Sequence, residues 1–206
     1  MKKGIFISIE GPDGSGKSTQ IENIKAFFAD KNIDIVFTRE PGGTPIGERI
    51  RKIILDNNCS EMCDMTEALL YAASRAQHVH DVIKPALESG KVVVCDRFVD
   101  SSLAYQGYGR GLGESVLTIN TLAIDGCLPD VTFLMKLDPS VGKRRAEIRS
   151  DLDRLELEKI EFHKEVYKGY LELEKKFSDR IVGIDANRSI DDIKKDIYEK
   201  LEELIK

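Results

Sequence analysis

The sequence predicts a single α/β domain built on a five-stranded parallel sheet flanked by helices. Three observations predict it. Five short apolar runs alternate with helical patterns along the 206-residue chain. One run, Val92-Val93-Val94-Cys95, is continuously apolar, as in a strand covered on both sheet faces. No Ser/Gly-rich linker and no internal repeat divides the chain, so one domain spans residues 1–206.

The elements follow in order. Gly4 to Glu10 reads as a buried strand, and Lys17 to Lys31 as a helix with Ile21, Ile24 and Phe28 on one face. Ile33 to Thr38 is a second strand, ended by Pro41, Gly42, Gly43 and Pro45. Helical pattern returns from Ile46 to Asn57 and runs again from about Asp64 to Glu88. Val92 to Cys95 is the third strand, followed by helical stretches near 99–107 and 114–125. Val131 to Leu137 is the fourth strand, and Pro139 opens a helix by supplying a fixed φ in its first turn. Phe162, Val166, Leu173 and Phe177 stripe the next helix, and Ile181 to Ile184 is the fifth strand. Ile190, Ile193, Ile197, Leu201 and Leu204 stripe the last helix. In such sheets ligands bind outside the carboxyl ends of the strands.

Composition narrows the function. With 31 basic and 36 acidic residues the net charge is -5, which disfavours a nucleic-acid polymer as partner. The longest uncharged run, Ser115 to Ile124, is too short to span a bilayer, so no membrane association is expected. The start of the chain lacks a secretion signal, and Cys59, Cys63, Cys95 and Cys127 form no C-x-x-C pair. Reduced thiols in a cytoplasmic protein are the expectation. His78-x-His80 and the Cys59/Cys63 pair have poor spacing for a zinc site.

Gly11-Pro12-Asp13-Gly14-Ser15-Gly16-Lys17-Ser18 matches G-x-x-x-x-G-K-[ST] between a strand and a helix. Glycines let backbone N–H groups wrap a phosphate, and the helix starting near Lys17 aims its positive end at the same anion. Lys17 adds a full charge to the β- and γ-phosphates, and the Ser18 hydroxyl is placed to ligate Mg²⁺. Residues 11–18, with Thr19, are the candidate ATP-binding set. The motif predicts a P-loop NTPase fold but does not name the reaction. A switch GTPase would carry N-K-x-D, which this sequence lacks.

Three more segments supply candidates for a second, acceptor site: TREPGGT (38–44), YAASRAQH (71–78) and CDRFVDSS (95–102). Together with the phosphate loop and YQGYGRG (105–111), they resemble the thymidylate kinase family in order and content. LPDVTFLMKLD and DLDRLE also fit, and the similarity runs from Ile7 through the terminal helix. The resemblance implies the reaction ATP + dTMP → ADP + dTDP, in dTTP biosynthesis, with Mg²⁺ as cofactor and a helix-packed homodimer. A related nucleoside monophosphate kinase and a non-catalytic nucleotide switch are the alternatives.

By the same resemblance, Arg39 and Arg97 grip the dTMP phosphate, a task that suits the planar guanidinium fork. Tyr71 stacks on the thymine and Arg75, four residues on, donates to its O4; Tyr71 as ordinary core is the alternative. Ser102 and Gln106 are candidates for the thymine edge, and Tyr105 crowds the sugar 2′ position. Asp13 serves the deoxyribose 3′-hydroxyl or the Mg²⁺ shell. Asp96 either supports Mg²⁺ through water or orients Arg97. The charged stretch 144–156 matches the family's mobile lid, which extends over about 142–156. The family carries its catalytic arginine either in the phosphate loop or in the lid; since Pro12, Asp13, Gly14 and Ser15 include no base, the resemblance implies the lid class. Arg149 is the first candidate and Arg145 the second.

Overall fold

The computed structural model describes residues 4–146 and 152–206. Strands β1 (Ile5–Glu10), β2 (Ile35–Arg39), β3 (Val92–Asp96), β4 (Val131–Lys136) and β5 (Ile181–Asp185) form one parallel sheet. Their spatial order is β2-β3-β1-β4-β5. The expected five strands are therefore present, with ends shifted by up to two residues.

The sheet is apolar on both sides because each strand alternates between two cores. Ile7, Ile9, Val92, Val94, Phe133 and Met135 face helices α1 (Lys17–Asp30) and α9 (Ile190–Leu204), which contribute Ile21, Ile24, Phe28, Ile193, Ile197 and Leu201. Phe6, Val93, Cys95 and Leu134 face the other way, towards Val166, Tyr170 and Leu173 of α8 (Ile160–Lys176). Complete burial of each such side chain is worth about 1.5–3 kcal/mol. Helix α2 (Pro45–Leu55) starts at a proline and is capped by Thr44, whose hydroxyl accepts from the Gly47 N–H at 2.9 Å.

The long helix expected over 64–88 is interrupted. It runs as α3 (Asp64–His78), widens into a π-helical turn over Val79–Ile83, and resumes as α4 (Lys84–Glu88). Pro85 gives the reason: it has no N–H, and its ring would clash with the carbonyl four residues back in a regular α-turn. The stretch after β3 is likewise a short helix, α5 (Val99–Ser102), continued by a π-helical segment over Leu103–Gly109. Helices α6 (Glu114–Ile124) and α7 (Pro139–Ala146) complete the layers.

This topology places β1 centrally, with β3 beside it in the register Ile9 to Asp96. The Arg97 N–H continues the ladder to the Ile9 carbonyl at 2.9 Å. The loops leaving β1 and β3 are therefore neighbours, and the site is built there.

Candidate active site

The phosphate loop takes the backbone shape its glycines permit. Gly14 has φ +74° and Gly16 has φ +87°, in the left-handed region that other residues avoid. A Cβ on Gly14 would lie 2.4 Å from the Gly142 carbonyl oxygen, so the loop seats directly on α7. Gly16 caps α1 without a side-chain hydrogen bond, which leaves the helix's first N–H groups for an anion. Lys17 Nζ is buried and donates to the Gly11 and Pro12 carbonyls at 3.0 and 2.9 Å. Burial and the charge of Arg97 lower its pKa to about 8.

A cavity of about 490 Å³ opens beside this loop. Its wall contains Lys17 and Ser18 from the loop, Arg51 from α2, Asp96 at the end of β3 and Arg97 after it, and Tyr71, Tyr105 and Gln106. Asp153, Leu155 and Glu156, from the stretch expected to form a lid, also line it.

Arg97 holds its position through several donors. Its Nη2 reaches Asp13 Oδ1 at 2.6 Å, and Nη1 reaches the Gly11 carbonyl at 3.0 Å, Ser101 Oγ at 3.1 Å and the Tyr170 hydroxyl at 3.2 Å. Its own φ is +63°, a conformation a bulky residue holds only when its surroundings fix it. Asp13 also accepts from the Tyr105 hydroxyl at 3.1 Å. Burial works against the Asp13 charge, but Arg97 and Lys17 reverse that and hold its carboxyl well below the usual range. Behind Arg97, Glu10 accepts from Phe98 N at 2.7 Å, Ser101 Oγ at 2.5 Å and Tyr170 OH at 3.2 Å. Burial and the nearby Asp100 raise Glu10 to about 7.

Several predicted residues lie elsewhere. Arg39 does not line the cavity; its Nη2 is held by both oxygens of Glu48 at 3.0 and 2.9 Å. Arg51 faces the cavity instead, donating to the Pro41 carbonyl at 3.0 Å, and burial with the charge of Arg39 lowers its pKa. Arg75 is buried and its guanidinium is consumed by protein groups. It donates to Glu40 Oε2 at 2.8 Å, Ser102 Oγ at 2.9 Å, the Phe98 carbonyl at 3.0 Å and Asn120 Oδ1. Ser102 is thereby an internal partner of Arg75 and no part of the cavity wall. Thr19 is exposed, and Ser15 Oγ is buried without a described partner. Arg145 Nη1 reaches the Gly14 carbonyl at 3.3 Å, whereas Arg149 lies outside the described residues. His78 is buried between Thr38 and Glu40, and His80 is exposed against Asp81, so the pair does not converge.

Arg51, Glu10, Tyr170 and Glu40 were not anticipated. A signal existed for Tyr170, which fills the gap in the apolar stripe between Val166 and Leu173.

A family profile described as thymidylate kinase matches residues 9–197. The chain belongs to the thymidylate kinase family. It is 50% identical to thymidylate kinase from Geobacillus sp. (strain WCH70) over 194 residues, 93% of this chain and 92% of that one. It is 48% identical to thymidylate kinase from Clostridium novyi (strain NT) over 196 residues, 94% of this chain and 96% of that one. A crystal structure of thymidylate kinase from Ehrlichia chaffeensis superposes with a TM-score of 0.79 at 32% identity, covering 97% of this chain and 99% of the other. The P-loop NTPase fold of a thymidylate kinase thus accounts for the sheet, the loop after β1 and the cation-lined cavity.

Proposed function

We propose that this chain transfers the γ-phosphoryl group of Mg-ATP to dTMP, releasing ADP and dTDP. One observation carries the reading. Arg97, pinned to Asp13 of the phosphate loop, shares a cavity with Lys17 and Arg51. Three cations from separate parts of the chain therefore surround one space large enough for a nucleotide.

The chemistry needs that arrangement. A phosphate monoester has its second pKa near 6, so at neutral pH the acceptor is already mostly a dianion and no general base is required. The barrier is the repulsion of two polyanions brought in line, which fixed positive groups lower. Lys17 exchanges its loop carbonyls for the donor phosphates. Arg97 and Arg51 hold the acceptor phosphate through planar forks. Tyr71 gives the base an aromatic wall, and Tyr105, anchored on Asp13, stands beside the sugar. The lid arginines, Arg149 first and Arg145 second, stabilise the transferring group; Arg145 already touches the loop backbone.

The residues also fit a magnesium ion. Asp96 Oδ1 is buried at the cavity without a described partner, and the Ser18 hydroxyl shares that wall. Among the described residues no group of three or more His, Cys, Asp or Glu converges. That suits a cation held by one or two protein oxygens, waters and substrate phosphates. When bound, the ion neutralises charge on the donor phosphates. Both Asp13 oxygens are engaged by Arg97 and Tyr105, so Ser18 and Asp96 form the metal set in this reading.

A homodimer is part of the proposal. Ile46 and Ile53 of α2, Met65 and Leu69 of α3, and Leu117 and Leu122 of α6 are exposed, and α3 packs against both α2 and α6. Sedimentation measures it directly. A cytoplasmic setting is proposed from the free thiols Cys59, Cys63, Cys95 and Cys127; no described helix is long and apolar enough to cross a membrane.

The test is ADP release from Mg-ATP by purified protein, with and without dTMP. Acceptor-dependent release with dTDP as product supports the reading. ATP binding without acceptor-stimulated turnover would assign the fold to a nucleotide switch instead.

A further inference from the structure

One buried carboxylate stands behind the cavity wall. Glu67 of α3 is 1% exposed and receives hydrogen bonds from three side chains. Gln106 Nε2 donates to Oε1 at 2.8 Å. Arg110 donates through Nε at 3.3 Å and Nη2 at 3.1 Å. Arg154 of the lid segment donates through Nη2 at 2.6 Å and fixes its Nε on the Ile54 carbonyl at 3.0 Å. Gln106 lines the cavity, and Glu67 stands directly behind it.

A primary amide has one donor end and one acceptor end, whereas an ionised carboxylate only accepts. Burial opposes the Glu67 charge, but the hydrogen bonds from Arg110 and Gln106 and the nearby guanidinium charges lower its pKa nonetheless. The Gln106 amide must then turn Nε2 to Glu67. Its Oε1 remains as an acceptor, and among the described residues nothing donates to it.

We propose that Glu67 is a specificity-determining positioning residue: by holding the donor end of the Gln106 amide, it leaves the cavity an acceptor that selects a pyrimidine carrying hydrogen on N3. Thymine has that hydrogen. Cytosine presents a lone pair at N3, which would face the Gln106 oxygen unpaired. The inference rests on the dTMP reading and names the element that sets its base preference. Because Arg154 binds the same carboxylate, the lid segment and the base-reading amide share one anchor.

The experiment is the ratio of kcat/KM for dTMP to that for dCMP. In Glu67→Gln the Gln106 amide is free to rotate, and the ratio should fall ~10-fold or more, through improved dCMP use as well as weaker dTMP use. Glu67→Asp keeps the charge for both arginines but withdraws from Gln106, and it should lose selectivity in the same sense. Gln106→Leu should lose it too, and the Glu67→Gln/Gln106→Leu double variant should lose no more than Gln106→Leu alone. A purely structural Glu67 would lower both substrates equally. A ratio kept within about twofold of wild type in either Glu67 variant overturns the proposal. A wild-type protein that does not phosphorylate dTMP is a separate failure, of the reaction itself, and removes this inference with it.

Discussion

Arg97 donates to Asp13 at 2.6 Å, tying the turn after β3 to the phosphate loop after β1. The contact explains a negative charge inside an anion-binding loop. Asp13 is neutralised by the cation it aims, so it orients that cation without repelling substrate. Replacing Arg97 by Ala removes the fork and leaves the part-buried Asp13 hydrogen-bonded to the Tyr105 hydroxyl without its Arg97 counter-ion. The expected outcome is a KM for dTMP raised by about 100-fold, with some loss of kcat. Arg97→Lys keeps the charge but lacks the fork, and should fall between. Steady-state kinetics on the three proteins checks this.

Arg51 and Arg39 make a paired test of which second arginine meets the acceptor. Arg51 lines the cavity and, among the described residues, donates to a single backbone carbonyl, while Arg39 is already satisfied by Glu48. Arg51→Ala should raise the dTMP KM by about 10-fold or more, and Arg39→Ala by less than about threefold. Equal effects would restore Arg39 to the site.

The Lys17 ammonium gives a pH dependence with a definite sign. Its pKa of about 8 in the free protein means the charge that attracts phosphate is lost as pH rises through that value. kcat/KM for ATP should therefore decline above about pH 8, approaching tenfold per unit. Lys17→Met should abolish turnover at every pH. A flat profile from pH 7 to 10 would show that the Lys17 ammonium keeps its charge across that range, against the lowered pKa.

Glu10 gives an opposite case in stability. Its folded-state pKa is raised from 4.5 to about 7, so folding favours its protonated form. The contribution is full below about pH 4.5 and is lost as pH rises through about 7. Glu10→Gln cannot titrate, so its stability relative to wild type should improve across that window. Urea denaturation of both proteins at pH 5 and pH 8 measures the difference.

The lid arginines separate by kinetic parameter. Arg149→Ala should lower kcat by about 10³-fold with little change in the dTMP KM, the signature of a group acting mainly in the transition state. Arg145→Ala should have the smaller effect. Full kcat in Arg149→Ala transfers the role to Arg145.

Much of the fold was legible because its signals are local. Strands buried on both faces read as apolar runs, and the glycines of 11–16 announce the loop they form. Lys17, Asp13, Arg97, Tyr71, Tyr105 and Gln106 line the cavity, and each was legible because it sits on or near a sequence motif. Arg75 shows where local reading stops. Its spacing from Tyr71 puts both on one side of α3, yet Glu40, Asn120 and the Phe98 carbonyl, from three other elements, draw the guanidinium inward. Arg39 is turned aside in a similar way, since Glu48 captures its guanidinium across the turn, while Arg51 lines the cavity. Arg154 is paired with Glu67, 87 residues earlier, which no spacing rule reports.

The most direct measurement is a crystal structure with dTMP and a non-hydrolysable ATP analogue bound together. The account predicts Lys17 on the donor phosphates, Arg97 and Arg51 on the monophosphate, and the two phosphate chains meeting end to end between them. A monophosphate lodged away from Arg97, or a triphosphate that leaves Lys17 on its loop carbonyls, would contradict it.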